Sequence, residues 1–266
     1  MDNTFNNKEN NYKEVAKQAR IKVLEMIHKA GTSHIGSNFS IIDVATVLYD
    51  KADLTKDRII WSKGWAAATA YYFLAKKGVI PEDDLDTFCQ PGSNYIGLAE
   101  PTVKGIDFAG GSMGMGLPAG VGYALSKKMK GEDGTVYVIM SDGELAIGTT
   151  WESALIAGHH HLDNLVVIID SNGFQAMGRT EDVLSSGFPA IYGEGWSYDR
   201  IDGHNFKEIE AHLRLRGQNC PRVVNATTTK GKGVSFMENL LDWHYKNVDE
   251  VDYQRALKEL NYAKNN

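Results

Sequence analysis

The 266-residue chain is predicted to adopt a doubly wound α/β fold, with a mostly parallel central sheet and helices on both faces. Two segments without polar alternation, VYVIM at 136–140 and LVVII at 165–169, are typical of strands that are buried on both faces. The helical pattern from Trp151 to His160 lies between them, as a connection between parallel strands requires. We therefore predict one domain over residues 11–266, preceded by a flexible, Asn-rich segment at 1–10.

The segments before the central strands alternate between helical and strand patterns. Apolar residues at helical spacing predict a helix from Tyr12 to about Lys29, which Gly31 ends. The polar segment TSHIGSNFS at 32–40 is predicted to be a loop. The next predicted elements are a helix at 41–49, a strand at 58–61, a helix at 64–77, a Gly-rich connection at 91–116 and a helix at 117–130. Small residues in that last helix, such as Gly120, indicate close packing on a neighbouring element.

After the central pair, the pattern continues with alternating strands and helices. It predicts a strand at 198–201, a helix at 205–216, a strand at 222–227 and an amphipathic helix at 249–262. The run His159 to His161 is interpreted as a helix end, because consecutive helical residues point in different directions and do not form a metal site.

The composition argues against several classes of protein. Lys and Arg number 28 and Asp and Glu number 34, so the net charge is 28 − 34 = −6. The sequence contains no long run of basic residues, which argues against a surface that binds nucleic acid. No apolar run approaches the roughly 18 residues that would span a membrane. The polar start lacks an apolar signal core, and the two cysteines, Cys89 and Cys220, match no disulfide framework or metal pattern. We therefore expect a cytoplasmic protein with reduced thiols.

Polar residues follow both central strands. Asp142 comes directly after the first strand, and Asn172 comes shortly after the second. Because the carboxyl ends of parallel strands meet at one edge of the sheet, we expect the two side chains to lie close together. A carboxylate and an amide oxygen, completed by water and phosphate oxygens, suit Mg²⁺. The two positions alone are equally compatible with a helix N-cap at Asp142 and a turn residue at Asn172.

The segment SDGELAIGTTWESALIAGHHHLDNLVVIIDSNGFQ at 141–175 resembles the thiamine diphosphate motif, in which G-D-G-x is followed, after a helix and a strand, by an asparagine. Three short sequences within this segment resemble the transketolase family in particular: E-L directly after D-G, W-E in the helix, and L-D-N-L before the second strand. Four other segments resemble the same family in the same order: SHIGSNFSIIDVATVLY, RIIWSKGWAAA, GIDFAGGSMGMGLPAGVGYAL and TTTKGKGVSFMENLLDWHYK. Five ordered matches over nearly the whole chain make the resemblance specific.

The resemblance implies that this chain is one part of a larger enzyme. Transketolases have three domains, and this chain is similar to the first, the pyrophosphate domain that binds thiamine diphosphate. It closely resembles the N-terminal subunit of split transketolases, in which a second polypeptide supplies the pyrimidine-binding and C-terminal domains. The implied reaction transfers a two-carbon ketol unit from a ketose or ketose phosphate to an aldose. A homodimer or an α2β2 assembly is implied, and this chain alone is expected to be inactive, because the activating glutamate lies in the next domain.

The resemblance also implies roles for individual residues. The side chains of Asp142 and Asn172 and the carbonyl of Phe174 would hold Mg²⁺ (or Ca²⁺). His34 and His244 would be catalytic, with His34 facing the sugar donor. The residues implied to contact the cofactor are Ser37, Trp65, Gly111, Ser112, Met113, Asp142, Gly143, Glu144, Asn172, Lys230 and His244.

Several positions depart from the family pattern. Trp65 replaces the histidine of S-K-G-H-A, and YIGLAEP at 95–101 replaces a G-H-P segment that carries a further histidine. Ser141 replaces the first glycine of G-D-G, Ile147 replaces a glutamate, and Tyr245 replaces the glycine of W-H-G. Residues near the sugar have therefore changed, whereas the implied metal ligands are kept.

Three hypotheses explain these departures. The chain is part of an enzyme with a non-standard donor or acceptor, since loss of a polar partner changes specificity strongly. Alternatively, it is a degenerate subunit with weak cofactor binding and an assembly or regulatory role. Retention of Asp142, Asn172, Lys230 and His244 together favours the enzyme. The third hypothesis, the α subunit of a 2-oxoacid dehydrogenase, is disfavoured by the WHYK and SHIG segments.

Overall fold

A computed structural model describes residues 3–184, 195–213 and 218–262. Within these ranges the chain forms five strands: β1 (Arg58–Trp61), β2 (Val136–Ser141), β3 (Leu165–Ser171), β4 (Ser197–Asp202) and β5 (Arg222–Thr227). They form one sheet in the order β1-β2-β3-β5-β4, in which every neighbouring pair is parallel. The predicted parallel sheet is confirmed, and each strand lies within two residues of its predicted bounds.

The described ranges also contain eight α-helices: α1 (Asn3–Ala30), α2 (Ile35–Lys51), α3 (Ala67–Lys76), α4 (Gly116–Lys130), α5 (Gly148–His159), α6 (Thr180–Val183), α7 (Phe206–Leu213) and α8 (Glu250–Tyr262). The predicted helix at 64–77 is a short 3₁₀ turn followed by α3. The last residues of the predicted helix at 205–216 lie outside the described residues. None of the helices described is long and apolar enough to cross a lipid bilayer.

Alternate side chains of β1, β2, β3 and β5 enter two separate apolar cores, whereas β4 contributes only Ile201, to the first. In β2, Tyr137 and Ile139 face one core, whereas Val138 and Met140 face the other. The first core is built with α1, α2, α3 and α7, and the second is built with α4 and α5. Helices therefore cover both faces of the sheet, as predicted. The small residues of α4 do allow close packing, because a β-carbon on Gly120 would lie 2.3 Å from Val138 Cγ2.

The first two helices begin earlier than the sequence predicted. Helix α1 begins at Asn3, so the described part of the predicted flexible segment at 1–10 is helical, and Lys8 Nζ binds Glu210 Oε1 at 2.6 Å. Helix α2 begins at Ile35, so the predicted loop at 32–40 is wrong from residue 35 onwards.

Buried hydrogen bonds explain why the polar segment is helical. The Asn38 amide donates to the carbonyl of Trp65 at 3.2 Å and accepts from the backbone of Thr69 at 3.0 Å. The Ser40 hydroxyl donates to Asp170 Oδ2 at 2.6 Å. Because tertiary partners replace water, residues 35–49 are buried throughout, and their weak helix propensity does not decide the structure.

A buried charged network joins α1 and α2 to the loop after β5. The Arg20 guanidinium donates two hydrogen bonds of 2.8 Å to the Asp43 carboxylate, and His204 Nδ1 lies 2.7 Å from Asp43 Oδ2. His204 Nε2 accepts from the Thr229 backbone at 2.8 Å, so Nδ1 carries the proton that binds Asp43. The network therefore fixes the backbone next to Lys230.

Arg20→Met is expected to destabilise the fold by about 3–5 kcal/mol, because it leaves the buried Asp43 carboxylate without its main counter-charge. Burial alone would raise the pKa of Asp43, but Arg20 and His204 outweigh it and lower the pKa to about 2. The stabilisation is therefore complete above about pH 4 and is lost as the pH falls towards 2. Urea unfolding measures the effect. Lys13→Met, which removes an exposed pair with Glu9, is the control, and an equally small loss in both variants would contradict the prediction.

Candidate functional site

A cavity of about 230 Å³ lies at the carboxyl ends of β2 and β3. Most of the predicted site residues line it: His34, Ser37, Trp65, Gly111, Met113, Gly143, Asn172, Phe174 and His244. Two larger clefts, of about 680 and 570 Å³, lie beside α1 and beside the start of β1, and their described lining includes none of the predicted residues. The sheet therefore brings residues from six distant segments into one small cavity.

Backbone contacts fix the glycine-rich wall of this cavity. The Gly64 amide donates to the Gly110 carbonyl at 3.0 Å, and the Ala99 amide donates to the Gly64 carbonyl at 2.9 Å. A β-carbon on Gly64 would lie 2.2 Å from the Gly110 oxygen, and one on Gly110 would lie 2.2 Å from the Trp61 oxygen. Glycine is therefore required at both positions, and the contact places Gly111 and Met113 against the cavity.

Asp142 and Asn172 meet at the edge of the sheet, as predicted. Asp142 Oδ2 accepts from the Gly173 backbone at 2.8 Å and from the Thr180 hydroxyl at 3.1 Å. Asn172 Oδ1 accepts from the Phe174 backbone at 3.1 Å. The helix-cap alternative for Asp142 does not hold, because Ser141 is the N-cap of the short 3₁₀ segment Asp142–Ala146.

The Asp142 carboxylate suits a bound cation. It is 7% exposed and has no ion-pair partner among residues 3–184, 195–213 and 218–262. Burial, and then the negative charge of Asp170, raise the pKa of Asp142 to about 6. No group of three His, Cys, Asp or Glu side chains is arranged for a metal in the described ranges. A divalent ion here would take oxygen ligands from Asp142, Asn172 and the bound phosphate, which is the donor set that Mg²⁺ prefers.

Two fully buried lysines lie behind the cavity. Lys63 Nζ forms an ion pair with Asp170 and donates to the Ser37 carbonyl at 2.9 Å. Lys230 Nζ lies 3.3 Å from Ser37 Oγ and 3.0 Å from His244 Nδ1, and it forms no ion pair within the described part of the chain. Burial and the charge of Lys63 lower the pKa of Lys230 to about 8. An uncompensated buried ammonium suits an anionic ligand such as a diphosphate.

The two predicted catalytic histidines lie together and are neutral at pH 7. Their ring centroids are 5.1 Å apart. Burial, followed by the charges of Lys230 and Lys63, lowers the pKa of His34 to about 4. Burial, Lys230 and His34 lower the pKa of His244 to about 3. Because the Lys230 ammonium only donates, His244 Nδ1 is the acceptor, and its Nε2 carries the proton.

Four predicted residues do not line the cavity. Ser112 is exposed, and Lys230 and Asp142 lie just behind the lining. The Glu144 side chain is fully buried and accepts from the backbone of Ser141 at 2.8 Å and of Gly114 at 3.0 Å. Glu144 therefore ties the glycine-rich wall to the end of β2 through its carboxylate, instead of pointing towards a ligand.

Several residues of the site were not predicted from the sequence. Lys63 and Asp170 were not singled out, although Lys63 is the lysine of the segment similar to S-K-G-H-A and Asp170 lies within the thiamine diphosphate motif, because neither was given a role there. Gln175 also lines the cavity. Its only sequence signal was its place directly after the predicted ligand Phe174.

Departures from the family pattern gather at the cavity. Trp65 and Tyr245 line it, and so does Leu98 from the YIGLAEP segment. Tyr245 is 63% exposed, and its ring centroid lies 4.7 Å from that of His244 and 6.1 Å from that of His34. Three apolar or aromatic side chains therefore line the same cavity as the two histidines.

Comparisons with known proteins agree with this geometry. Residues 11–265 match the family model for the transketolase thiamine diphosphate binding domain. The chain is 36% identical over 254 residues to one of the subunits of the apulose-4-phosphate transketolase of Phocaeicola vulgatus, covering 91% of this chain and 90% of that protein. It is 35% identical over 254 residues to one of the subunits of the 6-deoxy-6-sulfo-D-fructose transketolase of a Clostridium species, covering 89% and 91%.

A solved structure shows the same fold. Transketolase from Campylobacter jejuni superposes with a TM-score of 0.89 at 27% identity, covering 94% of this chain and 42% of that enzyme. The chain therefore spans less than half the length of that transketolase, although it spans most of the two subunits. The family match over almost the whole chain, the shared fold and the cavity at the ends of β2 and β3 lead to one conclusion: the chain belongs to the transketolase family and corresponds to its thiamine diphosphate-binding domain.

Proposed function

We propose that this chain is the N-terminal subunit of a split transketolase-like enzyme, which transfers a two-carbon ketol unit from a ketose or ketose phosphate to an aldose. The observation that carries the proposal is the cavity where a buried carboxylate, Asp142, and a buried ammonium, Lys230, both lack an ion-pair partner among the described residues. One charge suits a divalent cation, and the other suits a diphosphate. The relatives named for apulose-4-phosphate and 6-deoxy-6-sulfo-D-fructose support the same reaction class.

The chain would hold the cofactor through its diphosphate and its metal. Asp142, the Asn172 side chain and the Phe174 carbonyl would bind Mg²⁺ (or Ca²⁺) together with the diphosphate. The Gly143 amide, which donates to Asp142 Oδ1 at 2.9 Å, would donate to the diphosphate once the cation takes that carboxylate oxygen. A β-carbon at Gly143 would lie only 3.1 Å from Gln175 Cγ, so a larger residue would crowd this approach. Lys230 would offset the remaining negative charge, and Ser37 would hold Lys230 in place.

The histidines would act on the sugar. When bound, thiamine diphosphate supplies the carbanion chemistry that cleaves a ketose. His244 presents Nε2–H as a hydrogen-bond donor, because Lys230 occupies Nδ1. The pKa of His34, lowered to about 4, leaves a neutral imidazole that can accept a hydrogen bond from a sugar hydroxyl. The pair would orient the donor and move a proton at its hydroxyl groups.

A second chain would complete the site. It would carry the pyrimidine-binding and C-terminal domains, including the glutamate that activates the aminopyrimidine, and the assembly would be a homodimer of this chain or α2β2.

We propose one pyrophosphate-binding domain over 11–266 and a cytoplasmic location, in keeping with the free thiols of Cys89 and Cys220.

The alternative, a degenerate subunit with an assembly or regulatory role, is not favoured. Such a subunit has no need to keep a buried, unpaired charge, because burying one costs several kcal/mol. Both Asp142 and Lys230 are nevertheless kept just behind the cavity lining, next to Asn172 and His244, which do line it.

Trp65→His is expected to tighten thiamine diphosphate binding by about tenfold or more, because an imidazole restores a donor near the diphosphate, and one hydrogen bond to a charged group is worth about 1.5 kcal/mol or more. Titration calorimetry with Mg²⁺ present measures the change. Tyr262→His, at the exposed end of α8, is the control. An unchanged affinity for Trp65→His would show that Trp65 does more than fill the space of a lost histidine.

The reaction is tested with the purified two-chain complex. Ketose phosphates are offered with an aldose acceptor, and mass spectrometry detects acceptors that are longer by two carbons. Extension is expected only when both chains, Mg²⁺ and thiamine diphosphate are present. Extension by this chain alone, or none from a complex that has bound its cofactor, would contradict the proposal.

A further inference from the structure

Gln175 carries a buried polar atom without a partner. Its side chain is 9% exposed and lines the cavity, yet Nε2 has no hydrogen-bond partner in the described part of the chain. The other buried side-chain atoms without a partner belong to Asn164, Ser197 and Arg222, none of which lines the cavity among the described residues. A buried donor that is left unpaired costs free energy, so a ligand is the natural partner of this one.

A small hairpin holds Gln175 in this position. Its backbone amide donates to the Gly178 carbonyl at 2.8 Å, and Phe174 pairs with Arg179 in an antiparallel bridge. The Thr180 amide donates to the Gly173 carbonyl at 3.0 Å, and the Thr180 hydroxyl binds Asp142 Oδ2. The backbone of Gln175 is therefore fixed by hydrogen bonds within the hairpin, and Thr180 ties that hairpin to the predicted metal ligand Asp142.

The position of Gln175 identifies the part of the ligand that it faces. A β-carbon on Gly143 would lie 3.1 Å from Gln175 Cγ and 3.5 Å from Gln175 Cδ, so the side chain packs directly over the Gly143 backbone. Gly143 directly follows the predicted metal ligand Asp142, and Gln175 directly follows the predicted metal ligand Phe174. The Gln175 side chain therefore lies at the metal end of the cavity, whereas the two histidines lie at the proposed sugar end.

We propose that Gln175 Nε2 donates a hydrogen bond to a diphosphate oxygen of the cofactor, which makes Gln175 a cofactor-binding residue beside the metal ligands. The inference rests on the proposed function. A neutral amide suits this position, because it donates to an anion without competing with the cation for the Asp142 carboxylate. Gly143 is needed for the same contact, because any larger residue would push the carboxamide away.

Two variants test the donor. Gln175→Met keeps the length of the side chain and removes the amide, so the affinity for thiamine diphosphate should fall by about tenfold to a hundredfold, the effect of losing one hydrogen bond to a charged group. Gln175→Glu keeps the shape and places a carboxylate against the diphosphate, so the loss should be larger. Gln18→Met, which removes a surface hydrogen bond to Glu14, is the matched control and should leave the affinity unchanged.

Titration calorimetry in Mg²⁺ buffer measures the affinity for thiamine diphosphate of the complex between the full chain and the proposed second chain. Inorganic pyrophosphate serves as a second probe, because it contains the diphosphate without the thiazolium or the sugar. Both probes should bind more weakly by the same factor in Gln175→Met, and the unliganded variant should melt at the same temperature as the unmodified chain or higher, because it no longer buries an unpaired donor. An unchanged pyrophosphate affinity, with or without a raised KM for the ketose, would overturn the inference and leave the proposed function standing. Failure of the unmodified complex to bind thiamine diphosphate would overturn both.

Discussion

Asp142→Asn is expected to weaken Mg²⁺-dependent thiamine diphosphate binding by about a hundredfold or more and to abolish transfer. The amide keeps the shape of the side chain, and its oxygen can still accept from Gly173 and Thr180, which bind the carboxylate at 2.8 and 3.1 Å. Its NH₂ group loses the hydrogen bond that Oδ1 accepts from the Gly143 amide at 2.9 Å. It removes the negative charge that faces the proposed cation, and removing one partner of a buried charge pair costs about 3–5 kcal/mol. Titration calorimetry with and without Mg²⁺ measures the loss.

Asp163→Asn is the matched control, because Asp163 pairs with Lys128 at the surface, where its side chain is 45% exposed. This control should bind the cofactor as the unmodified chain does. If Asp142→Asn bound Mg²⁺ and thiamine diphosphate with unchanged affinity, Asp142 would not be a metal ligand, and the oxygen ligand set proposed at the ends of β2 and β3 would be wrong.

Lys63→Met and Asp170→Asn are each expected to destabilise the fold by about 3–5 kcal/mol, because each leaves the other member of a fully buried ion pair uncompensated. Asp170 also accepts hydrogen bonds from the Ser40 hydroxyl and, at 3.4 Å, from the Asn172 amide, so the ion pair helps to hold the predicted metal ligand Asn172 in place. Burial alone would raise the pKa of Asp170, but Lys63 outweighs it and holds that pKa below its usual value.

The double variant separates the ion pair from general packing. It should lose less than the sum of the two single variants, since neither charge is then left unpaired, and urea unfolding of all four proteins gives the coupling free energy. Lys130→Met provides the control, because Lys130 and Glu132 are exposed and 3.9 Å apart. Additive losses from Lys63 and Asp170 would contradict the account of this pair as coupled charges.

The strands were predictable because a strand that is buried on both faces of a sheet has a continuous apolar sequence. VYVIM and LVVII have no polar residue, and both are central strands of a parallel sheet. Their order along the chain was enough to place Asp142 and Asn172 at one edge. Helix α4 was predictable for a related reason, since its small residues match the close approach to β2.

The start of α2 and the buried charges were not predictable from local pattern. Asn38 and Ser40 lack helix propensity, and the partners that satisfy them, such as Asp170, are distant in sequence. Lysine is usually found at protein surfaces, so there was no reason to expect Lys63 in the interior. Its burial became apparent only in the folded structure, where it pairs with Asp170. The unpaired amide of Gln175 is likewise a property of the folded cavity, because no motif records which hydrogen bonds a side chain fails to make.

Co-purification tests most directly whether this chain is the diphosphate-binding half of a two-chain transketolase. The tagged full chain is isolated gently from its native host, its partners are identified by mass spectrometry, and bound thiamine diphosphate is assayed. We predict recovery of a second chain with a pyrimidine-binding domain, together with the cofactor. Recovery of this chain alone, with no cofactor bound even after Mg²⁺ and thiamine diphosphate are added, would contradict the account.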